Sequence, residues 1–448
     1  MNKKSKKKKL MKLPNYIFII ALLIHAPCAW AQDLLTKSEA VKMALEFNYD
    51  IKVANNDVII ANNNASIKNN AYLPTISVQA GANYTDNNLK RSDDEGFVFN
   101  NSGSVIRYNS SVDLNYVLFD GMGRKYIFER NKQNALLSEL QARQITEVAL
   151  VQLFIAYHEV ARLTENEIIQ RQALEISKTR KKRAEYSFEY GQSTQLDVLN
   201  AEVDVNTDSV NYLTVVQQLG NAKRDLNLLM GRDVTTAFSI DTSVSYIRDI
   251  NIMDLREQVQ TNNVNILQID RQIQNSEYDL GVSKSGWVPR VGVGASYIWN
   301  KSDFEAGSGF ADVRTTGPTA GVNLSWNIFD GGATSIQVQN AKVALKNEEI
   351  NKERAQQQLD RDLNNAWTTY QTALFILDAQ RKNLETSERN FDRTLEQNKF
   401  GQVTSIEFRQ AQVNLLNAGL IYNEAKYAAK NAELALLQLS GNLLNSEF

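Results

Sequence analysis

The sequence predicts a mixed α and β protein: a long α-helical coiled-coil barrel joined to a transmembrane β-barrel, four strands per chain, in duplicated halves. Three observations predict it. Landmarks recur at a constant spacing of 210 positions: Phe119-Asp120-Gly121 returns as Phe329-Asp330-Gly331, Tyr190-Gly191-Gln192 as Phe400-Gly401-Gln402, and Gly231 as Gly441. Two pairs of period-2 segments follow Pro74 and Pro289. Beyond Gly123 and Gly332, which follow the two Asp-Gly pairs, long stretches carry neither proline nor glycine. Loop-rich enzymes tolerate insertions over such distances, whereas rods held in register do not.

The N-terminus comes before the fold. Seven lysines between Lys3 and Lys12 precede the apolar run Ile17 to Ile24, and Ala29-Trp30-Ala31 follows. This pattern predicts a secretory signal peptide over 1–31, with an apolar core too short to span a bilayer. Cys28 is a weak lipidation site, because His25-Ala26-Pro27 ahead of it is the wrong context. Removing the seven lysines from 49 Lys and Arg leaves 42 against 51 Asp and Glu, a formal net charge near −9. The only cysteine leaves with the leader and His158 becomes the only histidine, which excludes disulfides, thiolate nucleophiles and multi-histidine metal sites. No phosphate-binding loop and no basic stripe interleaved with aromatics occurs, so neither a cofactor nor nucleic acid is expected. No constellation points to an enzyme.

The first repeat is expected over 32–231. Pro74 and Pro289 disfavour helix at Leu73 and Val288, which marks helix-to-strand joints. Ile76, Val78, Ala80, Ala82 and Tyr84 then share one face, and Ile106, Tyr108, Val112, Leu114, Tyr116 and Leu118 share a face of the next strand. The hairpin spans about 75–119, with the polar insert around Arg91–Gly96 as its loop. In the second repeat (253–448) Val291, Val293, Ala295, Tyr297 and Trp299, then Ala320, Val322, Leu324, Trp326 and Ile328, do the same over about 290–328. Ten-residue strands with one apolar face and aromatics near their ends are the mark of a membrane barrel. A soluble hairpin with one buried face is the alternative for any single pair, and the duplication in a secreted chain argues against it.

Uninterrupted helices are expected over about 121–189 and 333–399, rods near 100 Å long at about 1.5 Å per residue. Ala149, Leu153, Tyr157 and Val160 match Leu359, Leu363, Trp367 and Tyr370, the spacing of helices packed side by side. The remaining faces are polar, and His158 is expected on the helix surface. Shorter helices are expected over about 49–72 and 264–286, and longer ones over about 194–230 and 404–440. Each short and long piece would stack end to end beside an unbroken rod. Gly191 and Gly401 then end one helix at a hairpin tip, and Ser193-Thr194 or Thr404-Ser405 cap the next. The segment 232–252 breaks periodicity and links the halves as a belt.

With its Leu-Pro and Val-Pro joints, its Phe-Asp-Gly joints and its Tyr/Phe-Gly-Gln tips in this order, the chain resembles the TolC-like outer-membrane efflux proteins over essentially all of its length after the leader. Four strands cannot close a barrel in lipid, so the barrel must be shared between chains. The resemblance implies three chains. It further implies a homotrimeric duct in the outer membrane of a Gram-negative bacterium, with a large periplasmic portion. In that family such ducts serve tripartite efflux or type I secretion, meeting a periplasmic adaptor protein attached to an inner-membrane pump.

The resemblance places adaptor docking on the tips, at Gly191, Gln192, Ser193 and Thr194 and at Gly401, Gln402, Val403 and Thr404. It makes Asp197 a closing carboxylate of the periplasmic gate, with Glu407 at the matching place, although tip geometry alone requires neither. The family's partners fall on Asn383 and Glu388, which depart from its pattern, and Arg389 and Arg393 are the available substitutes. Asp392 and Glu396, near the second tip, are further gate candidates that threefold repetition would form into an acidic ring. A solvated helix face is the plain alternative. A non-conducting coiled-coil tether anchored in the outer membrane is the alternative function.

Overall fold

The computed structural model describes residues 34–92, 98–304 and 312–443, and the side chains of 87–102 fall outside that description. The expected leader, the centre of the first hairpin loop around Asp93 and the terminal Phe448 lie outside the described residues. In chain order the elements are β1 (Leu34–Leu35), α1 (Lys37–Phe47), α2 (Tyr49–Asn64), β2 (Thr75–Ser92), β3 (Val98–Phe119), α3 (Gly123–Glu189) and α4 (Gln195–Leu229). Then come β4 (Ser239–Ile240), α5 (Ile252–Asn262), α6 (Val264–Ser285), β5 (Arg290–Phe304), β6 (Val313–Ser325), α7 (Ala333–Lys399) and α8 (Ser405–Leu439). Among the described residues no helix is long and apolar enough to cross a membrane.

The helices lie side by side. α3 packs against α2 and α4 on one side and α6 and α8 on the other, and α7 packs against α6 and α8. The order across the layer is therefore α2 with α4, then α3, then α6 with α8, then α7. Both unbroken rods have 67 residues, about 100 Å at 1.5 Å per residue. The shorter helices meet end to end beside them. The Asn48 side chain caps α2 and donates to Leu229 O at 2.8 Å, and that of Asn263 caps α6 and donates to Leu439 O at 3.0 Å. At these junctions backbone passes so closely that a Cβ on Gly231 would lie 2.3 Å from Phe47 O, and one on Gly441 2.5 Å from Asn262 O.

Four strands form one antiparallel sheet in the order β2-β3-β5-β6. Its register sets the apolar residues in rows: Ile76 opposite Leu114, Ala295 and Ala320, and Val78 opposite Val112, Tyr297 and Pro318. Much of this face is exposed, with Val322 72% accessible, while Tyr108, Tyr116, Val293 and Trp299 on it are half-buried. The opposite face is polar; there Asp113 accepts from Ser111 at 2.7 Å and Ser296 at 2.6 Å.

Several local expectations change. β2 and β3 run 18 and 22 residues, longer than the alternating pattern indicated, because polar residues continue the pairing past Tyr84 and Ile106. A bulge between Val117 and Phe119 sets Phe119, not Leu118, opposite Val291. β6 stops at Ser325. α2 ends at Asn64, eight residues before Tyr72, because Asn70 donates to Asn64 O and Ser66 O and draws the chain into a turn.

The Phe-Asp-Gly joints have a local cause. Asp120 accepts from the Arg124 backbone at 2.9 Å and Asp330 from the Thr334 backbone at 2.9 Å, each at a helix start. The glycine that follows takes φ +66° or +69°. Arg124 also donates to Ala71 O and Leu118 O, tying α3 to both strand ends.

The core is deepest midway along the rods. Leu150, Leu153, Phe154, Tyr157 and Val160 pack against Leu226 and Leu434, and Leu363 and Tyr370 form a second cluster with Leu436. Segment 232–251 crosses here. β4 pairs in parallel with β1, and Tyr157, Tyr370 and Tyr427 donate their hydroxyls to backbone carbonyls of this segment or β1. Lys430 and Glu433, both buried, bind Ser245 O and Ile247 N.

His158 corrects the expectation of a surface histidine. It is 1% exposed, ringed by Phe154, Tyr157 and Tyr427, and its Nδ1 lies 2.7 Å from Asn431 Oδ1. Polar periodicity hid this, because α3 is packed from more than one side. Burial lowers its pKa to about 4, against the smaller opposing effect of the Asn431 contact.

Candidate functional site: the hairpin tips

Helices α3 and α4 form one hairpin and α7 and α8 the other. Both turn by the same means. At the first, Gln192 N donates to Ser187 O at 2.7 Å and Gly191 N to Phe188 O at 2.9 Å. At the second, Gln402 N donates to Gln397 O at 2.9 Å and Gly401 N to Asn398 O at 3.1 Å. This is the Schellman pattern, which needs a left-handed residue after the helix; Gly191 has φ +71° and Gly401 φ +69°. A Cβ at either glycine would meet nothing within 4 Å, so the tips stand clear of the rest of the chain.

The next helices start with capping boxes. Asp197 N donates to Thr194 Oγ1 at 3.3 Å while Thr194 N donates to Asp197 Oδ2 at 3.0 Å, and Thr404 with Glu407 repeats the arrangement at 3.2 and 2.7 Å. The expectation that tip geometry needs neither Asp197 nor Glu407 is corrected: each carboxylate caps its own helix. The backbone N–H of the threonine, and then its hydroxyl, hold both carboxylates below their usual pKa range.

Around these caps the tips present apolar surface. Tyr190 is 78% and Phe400 75% exposed, and Leu196 and Ile406 are similarly exposed. Below them Phe391 packs on Phe408 with ring centroids 5.6 Å apart, which joins α7 to α8. Asp392 and Glu396 lie exposed on α7, and Glu396 pairs with Lys399 at 2.5 Å. Within the chain neither the departing Asn383 nor the substitute Arg389 is bonded to Asp197: Asn383 donates to Gln380, and Arg389 donates to Glu385 O.

Sequence reasoning missed one of the contacts that join the two hairpins. Arg409 of α8 grips Asp208 of α4 with two bonds of 2.8 and 2.9 Å and also reaches Asp204, which pairs with Arg180 of α3. Ser177 donates to the same Asp208. Asp204 and Asp208, one turn apart, were the available signal, and an acidic pair on a polar helix face reads as solvated. No group of metal-ligating side chains occurs among the described residues.

The outer membrane efflux protein family model matches residues 40–232 and 255–442. The outer membrane efflux protein BepC of Brucella suis biovar 1 (strain 1330) is 22% identical over 361 residues, 80% of this chain and 76% of its own. The Campylobacter jejuni CmeC outer membrane channel superposes with a TM-score of 0.75 at 15% identity, over 99% of this chain and 94% of its own. A membrane protein from Pseudomonas aeruginosa gives a TM-score of 0.73 at 18% identity, over 93% and 95%. At these identities the structural likenesses speak for the fold.

Proposed function

The chain belongs to the outer membrane efflux protein family and is therefore an outer membrane protein of the efflux class; from that premise we propose that it forms a homotrimeric exit duct. In this reading substrates pass without chemistry from a periplasmic adaptor and an inner-membrane pump to the exterior. One observation carries the reading: sheet and helix layer are both unfinished at the same two edges. Among the described residues β2 and β6 each have one neighbouring strand. α2 with α4 lies at one edge of the helix layer and α7 at the other, and both edges expose apolar residues seven apart, Val53 and Ile60 on α2, Val203 and Val210 on α4, and Ile336, Val343 and Ile350 on α7. Such stripes call for a facing helix. Head-to-tail contact of unlike edges closes a ring when the rotation permits. Three copies give twelve strands, with lipid against the exposed apolar face and room for a lumen.

The tips are the far end of this duct. Tyr190, Leu196, Phe400 and Ile406 around Gly191–Thr194 and Gly401–Thr404 offer the adaptor an apolar docking surface, while Asp197, Glu407, Asp392 and Glu396 are the carboxylates available to a gate. Native mass spectrometry of the extracted protein should give a trimer, and single-channel recording should give a conductance that rises when Asp197 and Asp392 are replaced by asparagine. A monomer alone sinks the duct. Silence in the bilayer from wild type and both variants would leave a tether. Cross-linkers at Gln192 and Gln402 should capture the adaptor in cells.

A further inference from the structure

Above the tip, α3, α7 and α8 enclose a half-open cavity of about 270 Å³. Ile169 and Ile176 of α3, Leu384 of α7 and Leu416 of α8 give it apolar walls. It stays open at Gly419, where a Cβ would come within 3.0 Å of Ile169 Cδ1. Gln172, Tyr422 and Asn423 also line it, and two further acceptors matter most. Gln412 is 2% exposed; its Nε2 donates to Ala173 O at 2.9 Å and Ser177 Oγ at 3.1 Å, and its Oε1 is buried with no partner among the described residues. Glu388, on α7 at the same cavity, is exposed and makes no ion pair among the described residues. No lysine or arginine lines the space.

A buried acceptor without a donor is unfavourable, and a carboxylate beside an apolar wall sets the charge its ligand must carry. We infer that this cavity binds a small amphipathic organic cation, its apolar body between Ile169, Ile176, Leu384 and Leu416 and its N–H groups on Gln412 Oε1 and Glu388. The volume lies just under the ~300–1,000 Å³ of drug-sized sites, so the ligand is of fragment size. Because the walls come from both hairpins of one chain, the site does not depend on the duct reading, and a bound cation would tie α3 to α7 and α8.

The test is saturation-transfer NMR on the full chain in lipid nanodiscs, with benzamidinium as probe and neutral benzamide as control. Benzamidinium should bind, and benzamide roughly tenfold more weakly, a difference of one charge-assisted contact. Glu388→Gln should weaken benzamidinium about tenfold and leave benzamide unchanged. Gln412→Met, which keeps the volume and removes Oε1, should weaken both. Because Glu388 is exposed, its replacement tests the site even if Gln412→Met fails to fold. No transfer at roughly 10 mM probe, a concentration that would reveal even millimolar binding, would overturn the inference. So would affinities that neither substitution changes, the mark of an adventitious additive only.

Discussion

Helices α3 and α7 have the same length, 67 residues, and opposite surroundings. Eighteen residues of α3 are buried and only five of α7. The shorter pair divides the same way, with fourteen buried residues in α8 and four in α4. The difference follows position across the layer: α3 and α8 lie in its middle, α4 and α7 at its edges. Matching lengths therefore do not bring matching roles. The central helices hold the chain together, while the edge helices carry apolar residues that the chain itself does not cover.

The largest effect should come from charging an edge. In the proposed trimer Val210→Asp on α4 or Val343→Asp on α7 would bury an unpaired carboxylate at each interface, at several kcal/mol each. Native mass spectrometry should then show loss of the trimer while circular dichroism keeps the helix signal. A surviving oligomer would mean that these edges do not face one another. Next comes the centre. Phe154→Ala should cost about 3–5 kcal/mol of unfolding free energy by urea titration. Phe375, 75% exposed on α7, makes little packing within the chain. Whatever Phe375→Ala costs thus measures packing supplied from outside.

His158 sharpens the contrast through pH. Its folded pKa is about 4, below the ordinary 6.5. Between these values the unfolded chain takes up a proton that the folded chain refuses. Stability should be full above about pH 6.5 and fall by up to about 3 kcal/mol toward pH 4, a slope that His158→Gln removes. Thermal melting across that range checks it. The smallest effect belongs to the tips. Thr194→Ala or Thr404→Ala deletes a capping box and should cost about 1 kcal/mol, seen as faster hydrogen exchange in the first turn of α4 or α8 with the core unchanged.

Much of this was legible in the sequence because it is local. Proline at 74 and 289, Asp-Gly at 120 and 330 and Gly-Gln at 191 and 401 act through their own backbones, so they mark joints and tips wherever the fold puts them. Alternation from Ile76 and Val291 placed the apolar face of the sheet, and Leu153 and Leu363 marked the core stripe. Other features failed for a common reason. Periodicity reports one favoured face, and α3 is packed on several, so His158 read as surface. Asp204 and Asp208 read as solvated because their partner Arg409 lies 201 or more positions away. Asp197 and Glu407 read as gate carboxylates that the tips do not need, although the spacing from Thr194 to Asp197 and from Thr404 to Glu407 is that of a capping box.

The sequence by itself determined the main elements, the lengths of the two rods and the repeated tips, since these follow from backbone preferences and from the period of apolar residues along a few turns. Only the tertiary structure decided which rod lies in the middle and which at the edge, and so which apolar stripes are core and which the chain leaves exposed. The physical reason is that burial belongs to neighbours: equal length and a shared apolar stripe do not say how many sides of a rod another helix covers.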